Sequence, residues 1–404
     1  MNKVTVADLN FRDRRVLLRV DFNVPLNDRQ EITDDRRIKA ALPTIQKILG
    51  DGGILIACSH LGRPKGKPVP EMSLAPVARR LSELLGQEVL FAEDCIGPEA
   101  SNIVGKMEPG QCLLLENLRF HAEETANDQE FARKLASLGD IFVNDAFGTA
   151  HRAHASTEGV TRYFNQSIAG YLIEKEIKYL GGALADPRRP FAAILGGAKI
   201  SGKIDVIQNL MDKVDILIIG GGMTFTFAKA MGYEIGDSLL EEDRIEMARE
   251  LVAKVQNSRA KLFFPCDAVI AKEISDNAET QVVEIDKIPA GFKGLDLGPK
   301  SIELFRETLA DAKTIVWNGP MGVFEHAPFA EGTLAIARCL AELTDAGATT
   351  IVGGGDSAAA VGKAGLDKKL SHISTGGGAS LEYLEGKDLP GIAALTDHPS
   401  VETA

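Results

Sequence analysis

Residues 191–210, FAAILGGAKISGKIDVIQNL, pass from an apolar run through a glycine pair into an amphipathic segment, and much of the chain repeats that plan. Phe191–Leu195 has strand length and ends in Gly196-Gly197; from about Ser201 the apolar residues Ile204, Ile207 and Leu210 recur at helical spacing. A strand, a glycine turn and a helix start in that order make a ready anion site. Free backbone N–H groups and the positive end of the helix dipole face the turn, and glycine lets a phosphate approach the backbone. Lys199 and Lys203, four residues apart, add two positive charges that a helix would set on one face. A plain turn followed by solvated lysines fits the same residues. Gly197 with Gly202-Lys203 nearly matches a P-loop, but Ile204 stands where that motif needs Ser or Thr to ligate magnesium. Magnesium is therefore expected to be held elsewhere.

At 404 residues the chain is long enough for two domains of ordinary size, and 45% hydrophobic residues with 40 glycines suit an α/β protein rich in tight turns. A net charge of −12 argues against general binding to nucleic acid or to anionic membranes. Cysteines at 58, 95, 112, 266 and 339 are scattered, odd in number and without a CxxC pair, which favours free thiols in a reducing compartment. The basic residues near the N-terminus are not followed by an apolar signal core, and no apolar run nears the roughly 20 residues that span a bilayer. The expectation is a cytoplasmic protein.

In the first half, apolar runs at Arg15–Val20, Ile54–Cys58, Val89–Phe91, Cys112–Leu115 and Ile141–Asn144 alternate with helical patterns. That alternation predicts a parallel, doubly wound sheet, whose ligands bind outside the carboxyl ends of its strands. Four such ends deliver Asp21 and Asn23, His60 and Arg63, Arg119, and His151 with Arg152. Thr33-Asp34-Asp35 can cap a helix through Ile38, Leu42, Ile45 and Leu49, with Arg36 and Arg37 in its first turn. Cations there oppose the helix dipole by roughly 0.3–1 kcal/mol each, which hints at an anionic partner. Any one of these groups could be solvated or capping. Together they suit a small substrate bearing phosphate and carboxylate, which arginine grips bidentately.

Ile173–Leu180 reads as a connecting helix or one more surface helix, and Asp186–Pro190 as a domain boundary. Beyond it, four more strand ends carry glycines: 220–222, 319 with 322, 353–355 and 376–378. Glycine clusters at strand ends describe a floor where backbone lies close to a ligand. Asp356, opening the helix from Ser357, could ligate magnesium or cap that helix. No G-x-G-x-x-G occurs, which counts against a dinucleotide dehydrogenase.

Nine motifs in order, RVDFNVPL (19–26), SHLGRP (59–64), ENLRF (116–120), NDAFGTAHRAH (144–154), LGGAKISGK (195–203), IIGGGM (218–223), VWNGPMGVFE (316–325), VGGGDS (352–357) and STGGGASLE (374–382), resemble the phosphoglycerate kinase family over nearly the whole chain. The resemblance implies two doubly wound parallel-sheet domains: 1–173 for phosphoglycerate, with the tail 389–404 packing back on it, and 186–388 for Mg-nucleotide, joined by a linker helix at 174–185. It implies reversible transfer of the acyl phosphate of 1,3-bisphosphoglycerate to ADP, giving 3-phosphoglycerate and ATP, in a monomeric enzyme. Substrate contacts carried over are Asp21, Asn23, Arg37, His60, Leu61, Gly62, Arg63, Arg119 and Arg152; Arg37 is preferred to Arg36 because the family's arginine directly precedes an Ile-Lys pair. Nucleotide contacts are Lys203, Gly220, Gly221, Asn318, Glu325, Gly354, Gly355, Asp356 and Ser357, with Asp356 also carrying Mg2+. Arg37, Lys199, Gly376 and Gly377 would stabilise the phosphoryl group in flight. A carboxylate nucleophile is already ionised at pH 7, so motifs rich in Arg, Lys and Gly without a general base fit this chemistry. Sites on two domains further imply hinge closure about 173–187 and Ser374–Thr375. A sensor that kept this fold is the rival from another class, and it would be expected to lose Arg37, Lys199 or Asp356; all three are present.

Overall fold

A computed structural model describes residues 2–399, with Gln256 as backbone only; the expectation for the end of the tail, 400–404, lies outside the described residues. The chain divides into two units, one built from the residues up to Lys178 together with those from Asp388 on, the other from Tyr179–Lys387. Both belong to the α/β class.

The first unit contains β1 (Arg15–Arg19), β2 (Ile54–Cys58), β3 (Val89–Ala92), β4 (Cys112–Leu115), β5 (Ile141–Asn144) and β6 (Ser167–Ala169). They form one sheet in the order β3-β4-β2-β1-β5-β6, every neighbouring pair parallel. Helices such as Arg36–Gly50, Ala75–Leu85 and Gln129–Ala136 return the chain between strands. Because helices cover both faces, the strands are continuous apolar runs and not alternating ones: Leu55, Ile56, Leu113, Leu114, Phe142 and Val143 have no exposed surface. Each such side chain contributes about 1.5–3 kcal/mol through burial, which fixes the register. The chain leaves β1 toward β2 on one side and β5 lies on the other, so the order reverses there. Beyond the carboxyl ends at that point lies the natural ligand crevice.

The second unit contains β7 (Phe191–Leu195), β8 (Ile216–Ile219), β9 (Glu234–Ile235), β10 (Lys261–Phe263), β11 (Asp267–Ala271), β12 (Gln281–Glu284), β13 (Lys287–Ile288), β14 (Lys293–Leu297), β15 (Thr314–Asn318), β16 (Thr349–Gly353) and β17 (His372–Ile373). Its main sheet, β10-β8-β7-β15-β16-β17, is again parallel throughout. Here the order reverses at β7, so residues 191–210 leave the sheet at its switch point. An antiparallel sheet, β12-β11-β14, and a short β9-β13 pair form an additional layer that the sequence reading left unassigned.

Three local expectations need correction. Asp35 is the N-cap of the Arg36–Gly50 helix but makes no capping bond. Instead it pairs with Lys39 and Arg80 at 2.8 Å each, and the cap comes from Asp34, whose Oδ1 accepts from the Arg36 N–H at 2.9 Å while its Oδ2 binds the Arg36 guanidinium at 2.8 Å. Lys199 and Lys203 do not share a helical face: Ile200–Gly202 is a 3-10 turn and the helix proper is Ile204–Met211. Finally, the connecting segment is not one regular helix. It is an α-helix at Tyr171–Glu176, a π turn at Ile177–Gly181 and a second short helix at Gly182–Ala185. The start of the first is held by Asp145, whose Oδ1 accepts from the Leu172 and Ile173 N–H groups at 2.8 and 3.2 Å.

Candidate functional site

In the first unit the residues after β1, β2, β4 and β5 meet. Asp21 Oδ2 accepts from Arg37 Nη1 at 2.8 Å, and Asp21 Oδ1 lies 4.0 Å from His60 Nδ1. Asn23 Oδ1 accepts from the Gly62 N–H at 2.9 Å, while Arg119 Nη1 donates to the Gly62 carbonyl at 2.8 Å. Asn117 clips the two loops together: its Oδ1 accepts from the Leu61 and Arg119 N–H groups, and its Nδ2 donates to the Leu61 carbonyl. Beside them opens a cavity of about 580 Å3 lined by Arg63, Lys65, Gly66, Arg119, His121, Ala122, Thr125, Arg152 and His154. No carboxylate is among those lining residues. Four cations with no carboxylate in the wall between them leave the space fit for a phosphate or carboxylate ligand.

The electrostatics agree. Burial, then the charges of Arg19 and Arg152, bring Arg119 down to about 10. Burial and the surrounding arginines push His60 well below the usual imidazole range and His154 down to about 4; His151 is lowered by burial and by Arg152. All three imidazoles are thus neutral at pH 7. A bound anion would relieve this accumulated positive charge.

In the second unit Lys203, the residue before the Ile204–Met211 helix, donates to Asn318 Oδ1 at the end of β15. Burial lowers Lys203 to about 8 against the pull of Glu385 and Asp356. The Gly355–Lys363 helix begins after Gly354 (φ +93°), and Asp356, its second residue, is exposed. No capping bond forms there, so Asp356 does not cap, and among the described residues no hydrogen bond or ion pair engages its carboxylate. Ser357 faces inward, its Oγ accepting from the Gly319 N–H at 2.7 Å. The Gly377–Leu384 helix starts beside it: a Cβ on Gly377 would lie 3.2 Å from the Gly355 nitrogen. Two helix N-termini therefore point at one place.

A largely apolar cavity of about 530 Å3 adjoins, with Gly197, Gly221, Leu239, Ala268, Leu295, Glu325 and Asp356 in its walls. An apolar slot with a few polar groups at its rim suits a nucleoside. The additional antiparallel layer builds much of that wall. Its residues escaped sequence reading, although DAVIA (267–271) and QVVE (281–284) carry β-branched residues typical of strands.

The glycines divide into two groups. A Cβ on Gly196 would meet the Pro320 carbonyl at 2.2 Å, one on Gly220 the Met321 sulfur at 2.4 Å, and one on Gly221 the Gly197 nitrogen at 2.5 Å. Those glycines let the protein's own loops close on one another. Gly197, Gly202 and Gly355 instead face open space. The phosphate-cradle reading of 196–203 also changes. The Ser201 N–H and hydroxyl are taken by Glu241, at 3.1 and 2.6 Å, so these donors are already paired with an internal anion. Lys199, just before, is exposed.

Comparison with known proteins bears on the chain as a whole. The sequence profile described as phosphoglycerate kinase matches residues 6–387. The chain is 60% identical to the phosphoglycerate kinase of Chloroherpeton thalassium over 397 residues, which are 98% of this chain and all of that protein. The phosphoglycerate kinase of Prosthecochloris aestuarii is also 60% identical, with the same coverage. Among solved structures, phosphoglycerate kinase from Coxiella burnetii superposes with a TM-score of 0.87 at 44% identity, covering 97% of this chain and 98% of that one. The Pyrococcus horikoshii phosphoglycerate kinase gives 0.84 at 33% identity with the same coverage.

Proposed function

The chain belongs to the phosphoglycerate kinase family, and from that premise we propose how its residues carry out the family's reaction. The enzyme is a phosphotransferase with a carboxyl acceptor, exchanging the acyl phosphate of 1,3-bisphosphoglycerate with ADP to give 3-phosphoglycerate and ATP in glycolysis. The observation that carries the assignment of sites is the cavity bounded by Arg63, Arg119 and Arg152, cationic and free of carboxylates. There the 3-phosphoglycerate phosphate binds, with Asp21, Asn23, Arg37, His60 and the Leu61-Gly62 backbone arranging the rest of the molecule. The nucleoside occupies the apolar cavity of the second unit, lined by Gly221 and Glu325; Gly220 is not in its wall but packs against Met321. Lys203, Asn318 and the Gly354-Gly355-Asp356-Ser357 turn hold its phosphates.

Mg2+ fits Asp356, an exposed carboxylate at a helix start, since this ion commonly takes one or two carboxylates plus substrate phosphates. When bound, it would neutralise charge on the phosphate oxygens. The chain's own groups do the rest. Arg37 orients the nucleophilic carboxylate, Lys199 meets the transferring group from the nucleotide side, and the Gly377 N–H adds a donor where charge develops. The Gly376 N–H is held by Ser374 Oγ at 3.3 Å and would have to leave it to take part. No general base is needed, because the nucleophile is already ionised. The reacting atoms must come within about 3–3.5 Å, so closure about 173–187 and Ser374–Thr375 precedes transfer and excludes water. Scattering curves unchanged by both ligands together would remove that step.

We further read the protein as a cytoplasmic monomer that binds neither nucleic acid nor membrane. Its net charge is −12, and among the described residues no helix is long and apolar enough to cross a bilayer. The deciding assay couples 3-phosphoglycerate and MgATP to a trap for the acyl phosphate, beside Lys199→Ala. Turnover that needs both substrates and magnesium and collapses in the variant supports the assignment; tight MgATP binding without turnover overturns it.

A further inference from the structure

Arg19 closes β1 with no exposed surface. Its Nε donates to Ser156 Oγ at 2.8 Å, its Nη1 to the Val20 carbonyl, and its Nη2 lies 3.3 Å from His60 Nδ1. A guanidinium offers only donors and does not give up its proton. The ring nitrogen facing it must therefore present a lone pair, which puts the single proton of a neutral His60 on Nε2. No protein acceptor meets that Nε2 among the described residues. Asp21 Oδ1, at 4.0 Å from Nδ1, is too far to hydrogen-bond it. The other charges facing the ring, Arg37, Arg119 and Arg152, all oppose a second proton.

The charge of Arg19 is answered inside the protein. Ser156 Oγ, accepting from Arg19, donates its own proton to Glu124 Oε1 at 2.6 Å, and the Ser156 N–H reaches Glu124 Oε2 at 2.9 Å. Glu124 likewise has no exposed surface. A buried cation and anion held through one hydroxyl are costly to separate, so the guanidinium has one stable position.

We propose that Arg19 is a positioning residue that fixes His60 as the neutral Nε2–H tautomer, a one-way donor to an oxygen of bound phosphoglycerate, and that Glu124 holds Arg19 in place through Ser156. The proposal rests on reading His60 as a substrate contact. A histidine that would otherwise titrate between pH 5 and 8 becomes a donor of constant strength across that range.

The test is imidazole 15N NMR on the full chain, with the His60 signals assigned by their loss in His60→Gln. In the ligand-free parent, His60 is expected as Nε2–H and without titration from about pH 5.5 to 8. In Arg19→Met its pKa should rise by at least about one unit, with the Nδ1–H form appearing. KM for 3-phosphoglycerate should then depend on pH between 6 and 8 while kcat does not. Should Arg19→Met fail to fold, Ser156→Ala leaves both charges in place and is expected to give mixed tautomers. A parent His60 that is cationic or Nδ1–H at pH 7, or an unchanged tautomer in the variant that folds, overturns the proposal. Adding 3-phosphoglycerate to the parent tests the underlying reading separately: an unmoved His60 Nε2 signal would remove the substrate contact and leave the Arg19 result intact.

Discussion

Asp21 and Arg37 form a 2.8 Å ion pair in which the carboxylate is buried and the guanidinium side chain keeps 39% of its surface. The pair ties the end of β1 to the first turn of the Arg36–Gly50 helix, leaving the rest of the guanidinium for a ligand. Arg36 is spent on Asp34 instead. Arg37→Ala is expected to lower kcat by on the order of 10²–10³. Because the buried Asp21 carboxylate loses a partner, a stability cost of about 1–3 kcal/mol is expected as well. A variant that is fully folded at the assay temperature and keeps near-normal kcat would mean that Arg37 is only structural.

Lys199 and Lys203 should separate cleanly in kinetics. Lys199→Ala is expected to collapse kcat with nucleotide affinity within a fewfold, whereas Lys203→Ala should raise the nucleotide Kd. Lys203 sits at about 8 in the folded protein, below its ordinary value because of burial. It therefore loses its charge as pH rises past 8, and nucleotide affinity should weaken from about pH 7.5 to 9. Calorimetric titrations showing the same slope in Lys203→Ala would refute the assignment.

Asp145 gives a stability test. Burial raises its pKa to about 7 even though it caps the Tyr171–Glu176 helix. An acid whose folded pKa lies above its unfolded value stabilises the protein below about pH 4 and loses that contribution as pH rises through 7. The difference of about three units amounts to roughly 4 kcal/mol at most. Asp145→Asn keeps the acceptor for Leu172 and Ile173 but cannot ionise. Urea unfolding at pH 5 and pH 8 should show the variant gaining on the parent at the higher pH; a constant difference would contradict this.

The two classes of glycine predict opposite outcomes. Gly221 has φ +69° and a Cβ there would stand 2.5 Å from backbone, so Gly221→Ala should cost more than about 1–3 kcal/mol. Gly202 has open space and a negative φ, and Gly202→Ala should fold like the parent. Thermal melts of the two variants decide it.

The parallel sheets were legible because strands covered on both faces become unbroken apolar runs, as at Ile54–Cys58 and Phe191–Leu195. The meeting of Asp21, His60, Arg119 and Arg152 followed from the rule that ligands lie at carboxyl ends. What stayed hidden depended on partners distant in sequence. Glu241 reaches across 40 residues to occupy Ser201, and Ser156 lies 137 residues beyond Arg19. Nothing local marks such pairs. The cavity wall built by 234–297 stayed hidden because short, irregular strands of two to five residues give little periodicity.

The first unit is completed by residues from both sides of the second. Asn144 Nδ2 donates to the Gly391 carbonyl, and Lys3 Nζ reaches the Leu395 carbonyl at 2.8 Å. During synthesis, then, the first unit cannot finish folding until residues beyond the whole of the second have emerged. The second unit is continuous in sequence and waits for no later segment. A chain stalled before Asp388 would keep an unfinished first core exposed, marking that unit for chaperone capture or proteolysis.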